Sequence, residues 1–378
     1  MSKGRINLLQ TPASRGYRMP AEWEPHEATW IAWPHNRSDW PGKFAPIPWT
    51  YAEIVRNLAR VERVNILVDD EGAEAKARDL LVSAEVLPNR AVTPGSRSGN
   101  VKFWHIPTNR VWTRDSGPIF VRRDSRRASE FPPLAATAWR FNAWAKYSDW
   151  KLDAPISAEL GRRLRIPTWQ PEIELDGERR RVVLEGGSID VNGRGTLLTT
   201  EECLLSEVQQ RNPGVNREQL ESIFADYLGI KKTIWLGRGI TGDDTHGHVD
   251  DISRFVGPNV VITAYEPDTS DPNHEPLREN FLHLRKSPGQ SGGPLRVAKL
   301  PMPSRIYFRG QRLPASYANF YIANRLVLVP VFNEANDRVA LNTLADLFPD
   351  RTVVGIYCRD LILGLGALHC MTQQQPAV

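Results

Sequence analysis

Cysteine and long apolar runs are both scarce in this sequence of 378 residues. The cysteines are Cys203, Cys358 and Cys370, and so small and odd a number argues against a disulfide framework and fits a reducing compartment. No apolar run approaches the ~20 residues of a membrane-spanning helix, and residues 1–17 lack the apolar core of a signal peptide. We therefore expect a cytoplasmic protein with no membrane partner.

A large excess of either charge is also absent, because 48 basic and 44 acidic residues leave a net charge of only +4. The basic residues are scattered, apart from short clusters at Arg179–Arg181 and within Arg122–Arg127 that we interpret as solvated strand ends or hairpin tips. The sequence has no basic stripe with interleaved aromatic residues, so nucleic acid is not an expected partner.

The composition is that of an average soluble protein, with 41% hydrophobic and 24% charged residues. Short apolar runs alternate with amphipathic stretches, which predicts an α/β or mixed α+β fold. The predicted strands are Arg63–Val68, Ile119–Val121, Arg181–Leu184, Gly195–Thr199, Val260–Thr263, Leu326–Val329 and Thr352–Ile356. The predicted helices are Thr50–Val61, Arg217–Leu228 and Asp337–Phe348. No segment has the composition of a linker, so residues 1–378 are predicted to form a single domain.

Four segments place polar residues among glycines, where the backbone can approach closely and side chains can face a pocket. They are Trp112–Pro118, Leu184–Ser188, Thr241–Asp251 and Gly364–Gln373. In the last segment, Cys370 follows a glycine-bearing turn and precedes polar residues, which makes it a candidate nucleophile. The alternative is a buried, small apolar residue, an interpretation that suits Cys203 and Cys358 better because apolar residues flank them.

His248 is the candidate partner of Cys370. If its segment is extended, His246, His248 and Asp250 alternate onto one face. The same arrangement fits a metal site built from these three residues and further carboxylates. The local sequence leaves the catalytic and the metal interpretations open.

The carboxylates Asp115, Glu185 and Asp250 bear on the class of substrate. A buried carboxylate needs a partner, and a planar guanidinium can donate paired hydrogen bonds to it. The alternative is an ion pair within the protein, for example between Asp115 and Arg110 or Arg122. For any single carboxylate this internal ion pair is the simpler interpretation.

Taken together, these segments resemble the agmatine deiminase family, which includes the bacterial-type peptidylarginine deiminases. The similarity runs from Met19 to Gln374 and so covers nearly the whole chain. It begins in the segment Met19–Glu27, and four motifs follow in the family's order, at Trp112–Pro118, Glu185–Gly187, Gly247–Asp250 and Leu368–Cys370. Each motif alone is weak, whereas the ordered set is a specific signal.

The resemblance implies a single-domain α/β fold, a five-bladed pseudo-symmetric α/β-propeller of the pentein type. It also implies hydrolysis of a guanidine to a ureido group with release of ammonia, without a metal or an organic cofactor. By resemblance, Cys370 is the nucleophile, His248 the general acid and base, and Glu185 the third catalytic residue. Asp115 and Asp250 would clamp the guanidinium, and Trp112 would stack near it. The implied partner is a small-molecule guanidine, and a homo-oligomer is compatible with the family.

Agmatine is the expected substrate, because an excess of carboxylates at Asp243, Asp244, Asp250 and Asp251 would attract a second cation. Arg37, Lys146 and Arg254 are residues that could instead receive a substrate carboxylate. The chain departs from the family's pattern at Asp251, where asparagine is common, in the run Gly364–Ala367 and in the segment Trp33–Trp49. The alternatives are therefore a deiminase of arginine or peptidyl-arginine, an amidinotransferase, a metal-dependent hydrolase and a non-enzymatic guanidine-binding protein.

Overall fold

The computed structural model describes residues 10–88, 100–124, 131–289 and 292–378. Helices and strands alternate along the chain, as the composition of the segments predicts. The α-helices are α1 (Ile47–Leu58), α2 (Glu71–Ser83), α3 (Thr113–Ser116), α4 (Ile156–Leu164), α5 (Glu201–Leu205), α6 (Arg217–Leu228), α7 (His274–Lys286) and α8 (Ala335–Leu347). Short 3-10 helices lie at Ala13–Arg15, Arg37–Asp39, Ala143–Ala145, Gly186–Ser188, Val249–Asp251 and Leu361–Gly364.

The strands are short, and most of them have no more than six residues. The first ten are β1 (His26–Ala32), β2 (Arg63–Val68), β3 (Val101–His105), β4 (Ile119–Arg122), β5 (Leu134–Thr137), β6 (Thr168–Trp169), β7 (Glu172–Leu175), β8 (Glu178–Arg181), β9 (Asp190–Val191) and β10 (Thr196–Thr200). The others are β11 (Lys232–Leu236), β12 (Ser253–Gly257), β13 (Val260–Tyr265), β14 (Arg296–Pro301), β15 (Tyr307–Phe308), β16 (Gln311–Arg312), β17 (Tyr321–Ala323), β18 (Leu326–Val331), β19 (Thr352–Tyr357) and β20 (Gln373–Pro376).

Within the described ranges, five sheets of three or four strands share one pattern of pairing. Their strand orders are β20-β1-β2-β3, β4-β5-β6, β9-β10-β11, β12-β13-β14 and β17-β18-β19. In each sheet the first strand pairs antiparallel with the second, and the second pairs parallel with the third. The parallel step needs a crossover, and α1, α4, α6, α7 and α8 supply one for each sheet. The chain therefore repeats one ββαβ unit, with β20 completing the sheet that β1 begins.

The helices begin and end where local chemistry favours it. At α6, Asn216 and Gln219 form a reciprocal capping box, and Gly229 ends the helix with a left-handed backbone at φ 71°. The Asp70 side chain accepts the Ala73 amide at the start of α2. These signals explain why the predicted helix Arg217–Leu228 has the observed bounds.

The apolar core is continuous with the repeated units. A large cluster joins β1, β2, α1 and the strands β17–β19, and a second cluster lies around β9, β10 and α6. Strands such as Ile31 to Ala32 and Val327 to Val329 are buried on both faces, as expected for strands covered by crossover helices. No helix in the described residues has the length and apolarity that a membrane crossing requires.

Most of the predicted elements are confirmed. The strand predicted at Arg181–Leu184 is confirmed only in part, because β8 ends at Arg181 and Val183 then forms an isolated parallel bridge with Arg140. Arg179–Arg181 lies in the two-stranded hairpin β7-β8, in agreement with the prediction of a solvated hairpin. In the cluster Arg122–Arg127, residues 125–130 lie outside the described residues. The mixed α/β class is confirmed, whereas no described sheet closes on itself.

Candidate active site

Five polar residues that the sequence singles out lie, together with Asn319, where the five sheets begin. Each lies a few residues before the first strand of a sheet: Asp115 before β4, Glu185 before β9, His248 and Asp250 before β12, Asn319 before β17 and Cys370 before β20. Because every unit has the same pairing pattern, the corresponding loops present side chains to a common centre. All six side chains are buried.

Cys370 is the nucleophile candidate at this centre. Its Sγ lies 3.1 Å from Asn319 Nδ2, which donates a hydrogen bond, and 3.7 Å from Asp250 Oδ2. Burial and the negative charges of Asp250, Asp251 and Asp115 raise the pKa of the Cys370 thiol well above its ordinary value. The sulfur is therefore a thiol in the empty site, and a cation beside it would favour the thiolate.

The His248 ring is fully buried, and neither ring nitrogen has a hydrogen-bond partner among the residues that the structure describes. Nε2 lies 3.9 Å from Glu185 Oε2, and Nδ1 lies 3.9 Å from Asp250 Oδ1 and 4.0 Å from Asp115 Oδ2. Burial disfavours the charged ring, but the charge of Asp115 and the contact with Cys203 outweigh it and raise the His248 pKa well above its ordinary value. An imidazolium surrounded by carboxylates can act as a general acid.

Asp115 and Glu185 reach the site with different partners. Asp115 accepts the Trp144 indole N–H at 2.9 Å and the Gly187 amide at 3.0 Å, and burial raises its pKa to about 6. Glu185 pairs through Oε1 with Arg211 Nε at 3.1 Å, while its buried Oε2 has no partner. The predicted alternative of an ion pair between Asp115 and Arg110 or Arg122 is wrong, because both arginines pair elsewhere.

Asp250 and Asp251 are adjacent in sequence but differ in protonation. Burial would raise the pKa of Asp250, but the hydrogen bond and charge of His369 hold it below its ordinary value. Burial and the charges of Asp250 and Asp243 raise the pKa of Asp251 well above its ordinary value. Asp250 is thus the anion of the pair, and its Oδ1 is buried without a partner.

Four buried polar atoms at this centre lack partners: Glu185 Oε2, Asp250 Oδ1 and both ring nitrogens of His248. Unpaired buried polar atoms are costly, on the order of 1–3 kcal/mol each, so their convergence at one place marks a site for a polar ligand. Carboxylate oxygens accept hydrogen bonds, so the ligand must bring several donors. A planar guanidinium has that chemistry.

Gly187 allows these groups to approach one another. A Cβ atom at this position would lie 2.6 Å from His248 Nδ1 and 3.0 Å from oxygens of both Asp115 and Asp250. Any side chain would therefore occupy the space that the ligand and the His248 ring share.

The comparisons with known proteins agree with this geometry. The family model of Porphyromonas-type peptidyl-arginine deiminases matches residues 18–376. The chain belongs to this family. Agmatine deiminase from Medicago truncatula is 34% identical over 401 residues, which cover 99% of this chain and 100% of the relative.

Solved structures of similar proteins lead to the same family. Agmatine deiminase of Enterococcus faecalis has a TM-score of 0.84 and 30% identity, with 99% of both chains covered. A Cys-to-Ser variant of C. jejuni agmatine deiminase with substrate bound has a TM-score of 0.79 and 28% identity, covering 95% of this chain and 96% of that one.

In this deiminase-family chain, a cavity of about 360 Å³ leads to Cys370. Trp112 and Trp144 form part of its inner wall, beside Asp115. The described lining residues are Ser38, Asp39, Pro41, Arg110, Trp112, Asp115, Trp144, Tyr147, Asp244, Thr245, Phe308, Gln311, Leu313, Leu363, Gly364, Leu365, Gly366 and Cys370. The cavity thus joins an aromatic and acidic interior to a mixed polar rim.

The rim holds cations that are already paired. Arg110 donates to Asp39 and to both oxygens of Asp149 at 3.1 Å, and Lys146 forms an ion pair with Asp244. Arg254, predicted as a possible receiver of a substrate carboxylate, is buried against Glu22 and Asp190.

The predicted metal site of His246, His248 and Asp250 is not formed. His246 has a left-handed backbone at φ 64°, and its Nε2 lies 3.2 Å from Ser206 Oγ, so the segment is not extended and its side chains do not alternate. Two other groups bring one potential ligand atom per residue to within 4.8 Å of one another: Glu185, Cys203 and His248, and Asp250, Asp251 and Cys370.

Of the predicted set, Trp112, Asp115 and Cys370 line this cavity. His248 and Asp250 approach Asp115 and Cys370, and Glu185 approaches His248, so the six residues form one cluster. Sequence reasoning missed Asn319, Trp144, Glu22 and His369. Asn319 stands in an apolar and small-residue stretch with no local signal. Trp144 donates to Asp115 from three successive residues with left-handed backbones, Ala143, Trp144 and Ala145 at φ 50°, 59° and 54°, which no local pattern indicates.

Proposed function

We propose that this protein hydrolyses the guanidine group of agmatine to N-carbamoylputrescine and ammonia, with Cys370 as a covalent nucleophile. The observation that carries the proposal is the convergence of four unpartnered buried atoms, Glu185 Oε2, Asp250 Oδ1 and both His248 ring nitrogens, beside the Cys370 thiol. The family, the two agmatine deiminases named above and the substrate-bound C. jejuni structure support this assignment.

Substrate binding prepares the nucleophile. Asp115, Asp250 and Glu185 receive the guanidinium N–H groups and fix its carbon near Cys370 Sγ, while Trp112 forms the wall beside it. The added positive charge offsets the carboxylates that hold the thiol protonated. The thiol then releases its proton to solvent, and Asn319 Nδ2 stabilises the thiolate through its hydrogen bond.

The reaction proceeds through one covalent intermediate. The thiolate forms a C–S bond to the guanidinium carbon, the His248 imidazolium protonates a terminal nitrogen, and ammonia leaves as the C–N bond breaks. Neutral His248 takes a proton from water, whose oxygen bonds to the carbon of the thiouronium. The C–S bond breaks, and the protonated ureido group returns a proton to the departing thiolate, which restores the Cys370 thiol. The proton released at the start ends on ammonia as ammonium.

The rim of the cavity favours a substrate without a carboxylate. Among the described lining residues, Asp39, Asp115 and Asp244 face one cation, Arg110, whose guanidinium is already paired with Asp39 and Asp149. The α-carboxylate of arginine would meet no unpaired cation in this lining. Agmatine lacks that carboxylate and carries a distal ammonium instead, which can share the carboxylates of Asp39 and Asp244 with the cations that already pair with them.

We also infer that the chain is a single catalytic domain with five blades around this centre. Five sheets of three or four strands with one pairing pattern, and a site residue ahead of the first strand of each, support this arrangement.

The test compares kcat/KM for ammonia release from agmatine, free arginine and a blocked arginyl peptide. We expect agmatine to exceed arginine by at least ~10-fold, and we expect the product mass of N-carbamoylputrescine. A preference for arginine or for the peptide would refute the substrate assignment. Stimulation of guanidine consumption by an added amine, without ammonia release, would indicate an amidinotransferase instead.

The covalent role of Cys370 has its own test. Cys370→Ser should lower kcat by more than about a thousandfold while the unfolding transition is retained, because serine is a far weaker nucleophile here. Iodoacetamide should label Cys370 before the buried Cys203 and Cys358, and agmatine should protect it. Turnover by Cys370→Ser within tenfold of the wild type would exclude the mechanism.

A further inference from the structure

The ring of His369, the residue before Cys370, is held between two carboxylates. Its Nδ1 lies 2.7 Å from Asp250 Oδ2, and its Nε2 lies 2.7 Å from Glu22 Oε2. The ring is 2% exposed, so no solvent replaces either partner. Two hydrogen bonds of this length join one imidazole to residues 119 and 347 positions away in the chain.

Both of these carboxylates are ionised. Burial alone would raise the pKa of Glu22, but the charges of Arg254, His369 and Arg114 hold it well below its ordinary value. His369 likewise holds the pKa of Asp250 below its ordinary value, against burial. A neutral imidazole has one N–H, so its other nitrogen would set a lone pair against a carboxylate. Each ring nitrogen lies 2.7 Å from a carboxylate oxygen, which can only accept, so the geometry points to an N–H on both nitrogens.

Glu22 is a fixed anchor for this ring. Its Oε2 also lies 3.2 Å from Arg114 Nη2 and 3.0 Å from Arg254 Nη2, and its Oε1 accepts the Ile322 amide at 2.8 Å. Arg254 is in turn held by Asp190. Glu22 belongs to the amino-terminal segment Met19–Glu27, which the mechanism above does not use.

The contact with His369 determines which carboxylate oxygen of Asp250 can accept a hydrogen bond from the substrate. Because Oδ2 accepts the His369 N–H, Oδ1 is the oxygen left without a partner, 3.9 Å from His248 Nδ1. The charge of His369 also balances a centre that holds Asp115, Glu185, Asp250 and Asp251. Without it, Asp250 would compete with three other carboxyl groups for protons and would lose its value as an anionic acceptor.

We propose that His369 is a positioning residue, a doubly protonated imidazolium braced by Glu22 that keeps Asp250 ionised and turns its Oδ1 towards the substrate guanidinium. The role of Asp250 in this statement rests on the proposed function. The protonation of His369 and its bracing by Glu22 do not.

Two substitutions separate the contacts of the ring. In His369→Asn the side-chain amide nitrogen lies near the place of Nδ1 and can still donate to Asp250. In His369→Gln the longer amide reaches towards Glu22 and abandons Asp250. We expect His369→Gln to lower kcat/KM for agmatine by ~10- to 100-fold, with a raised KM. The reason is that Asp250, the carboxylate that binds the substrate, loses its hydrogen bond from residue 369. His369→Asn should recover part of the loss in KM, because it keeps the hydrogen bond to Asp250 but not the charge of the ring.

A purely structural role would give a different result. Loss of folded enzyme lowers the apparent kcat and leaves KM unchanged, and it would affect the two variants without regard to which contact each retains. Equal loss in both variants with an unchanged KM would overturn the proposal, as would wild-type kinetics in His369→Gln.

Nitrogen NMR of the histidine-labelled, full-length protein gives a readout that needs no turnover. The His369 ring signals are identified by their absence in His369→Asn. We expect both nitrogens to show the shifts of protonated nitrogens at neutral pH in the wild type, and one of them to lose its proton in Glu22→Gln. A wild-type ring with one unprotonated nitrogen would overturn the proposal. If the wild type released no ammonia from any guanidine, the proposed function would fail, while the ring signals would still decide the state of His369.

Discussion

At the scale of single residues, the adjacent Asp250 and Asp251 show how different partners shift the pKa values of two neighbouring carboxyl groups in opposite directions. Asp250 Oδ2 lies 2.7 Å from His369 Nδ1, whereas Asp251 Oδ1 accepts the side-chain amide N–H of Asn319 at 3.0 Å. The pKa of Asp250 is therefore lowered and that of Asp251 is raised. In its protonated form Asp251 is neutral, as an asparagine at this position would be.

Asp251→Asn should stabilise the protein in a pH-dependent way. Because the folded-state pKa of Asp251 is raised, its favourable contribution is complete below the unfolded pKa of ~3.9 and is lost as the pH rises through the folded pKa. The variant should match the wild type in unfolding free energy near pH 4 and exceed it by about 1–3 kcal/mol at pH 8. Denaturant unfolding from pH 4 to 9 measures this difference.

The exposed Asp346→Asn serves as the control for the change in charge. An advantage of Asp251→Asn that is the same at every pH would contradict the buried-acid interpretation, because only ionisation of Asp251 makes the difference vary.

Single residues also show how much of the site can be predicted from the sequence. Cys370, His248, Glu185, Asp115, Asp250 and Trp112 stand in glycine-bearing or motif segments and could be named. Glu22 and His369 also lie in quoted segments, Met19–Glu27 and Leu368–Cys370, but their roles, like that of Asn319, could not be predicted because these depend on contacts across the fold, such as the one between Glu22 and His369. No local pattern encodes the partner of a side chain that is hundreds of residues away.

At the scale of elements, the turn that carries Gly187 determines the spacing of the site. The 3-10 helix Gly186–Ser188 follows Glu185 directly, and its second residue lies under the His248 ring. The loop Thr241–Asp251 meets it from the other side, where Asp243 accepts the amides of Gly247 and His248 at 2.7 and 3.1 Å. Both backbones are fixed by their own hydrogen bonds, so neither can yield easily.

Gly187→Ala should therefore lower kcat/KM by about 100-fold, since a displacement of ~1 Å at a catalytic group has an effect of that size. The added Cβ would lie 2.6 Å from His248 Nδ1 and must displace the ring. Steady-state kinetics with agmatine measures the loss.

Gly293→Ala is the matched control, because a Cβ there meets no atom within 4 Å. We expect it to keep wild-type kinetics. Full activity in Gly187→Ala would mean that the His248 ring does not need its observed position.

Helices and strands were predicted well where apolar residues recur at a regular spacing. They were predicted poorly where glycine interrupts that spacing. Strands such as β2 and helices such as α6 follow directly from apolar spacing and caps. The extended segment expected at His246–Asp250 fails because His246 and Gly247 have positive φ values of 64° and 91°, which turn the chain and send His246 towards Ser206. A prediction from residue spacing assumes a regular backbone, whereas the loops that contain the site residues have irregular backbones.

At the scale of the whole molecule, the buried centre contains side chains of the kinds that bind metal ions. Each of the groups Glu185–Cys203–His248 and Asp250–Asp251–Cys370 has the residue types that bind zinc. We nevertheless expect EDTA to leave turnover unchanged, because the covalent route needs the His248 ring and the Cys370 sulfur free. Metal analysis of the purified protein should find zinc well below one equivalent per chain.

The controls for adventitious metal ions are purification without a nickel column and assay buffers from which metal ions have been removed with a chelating resin. Zinc at one equivalent per chain, together with turnover that disappears on its removal and returns on its addition, would contradict the covalent mechanism.

The addition of β20 to the edge of the first sheet has a consequence for the order in which the molecule folds. Thr29 pairs with Gln374, and this antiparallel contact holds the segment that follows Cys370. Contacts between residues so distant in the chain form slowly, whereas α6 and α8 need only local contacts. After dilution from denaturant, the helical signal should therefore return well before turnover does. The regain of ammonia release would report the last long-range pairing rather than the bulk of the secondary structure.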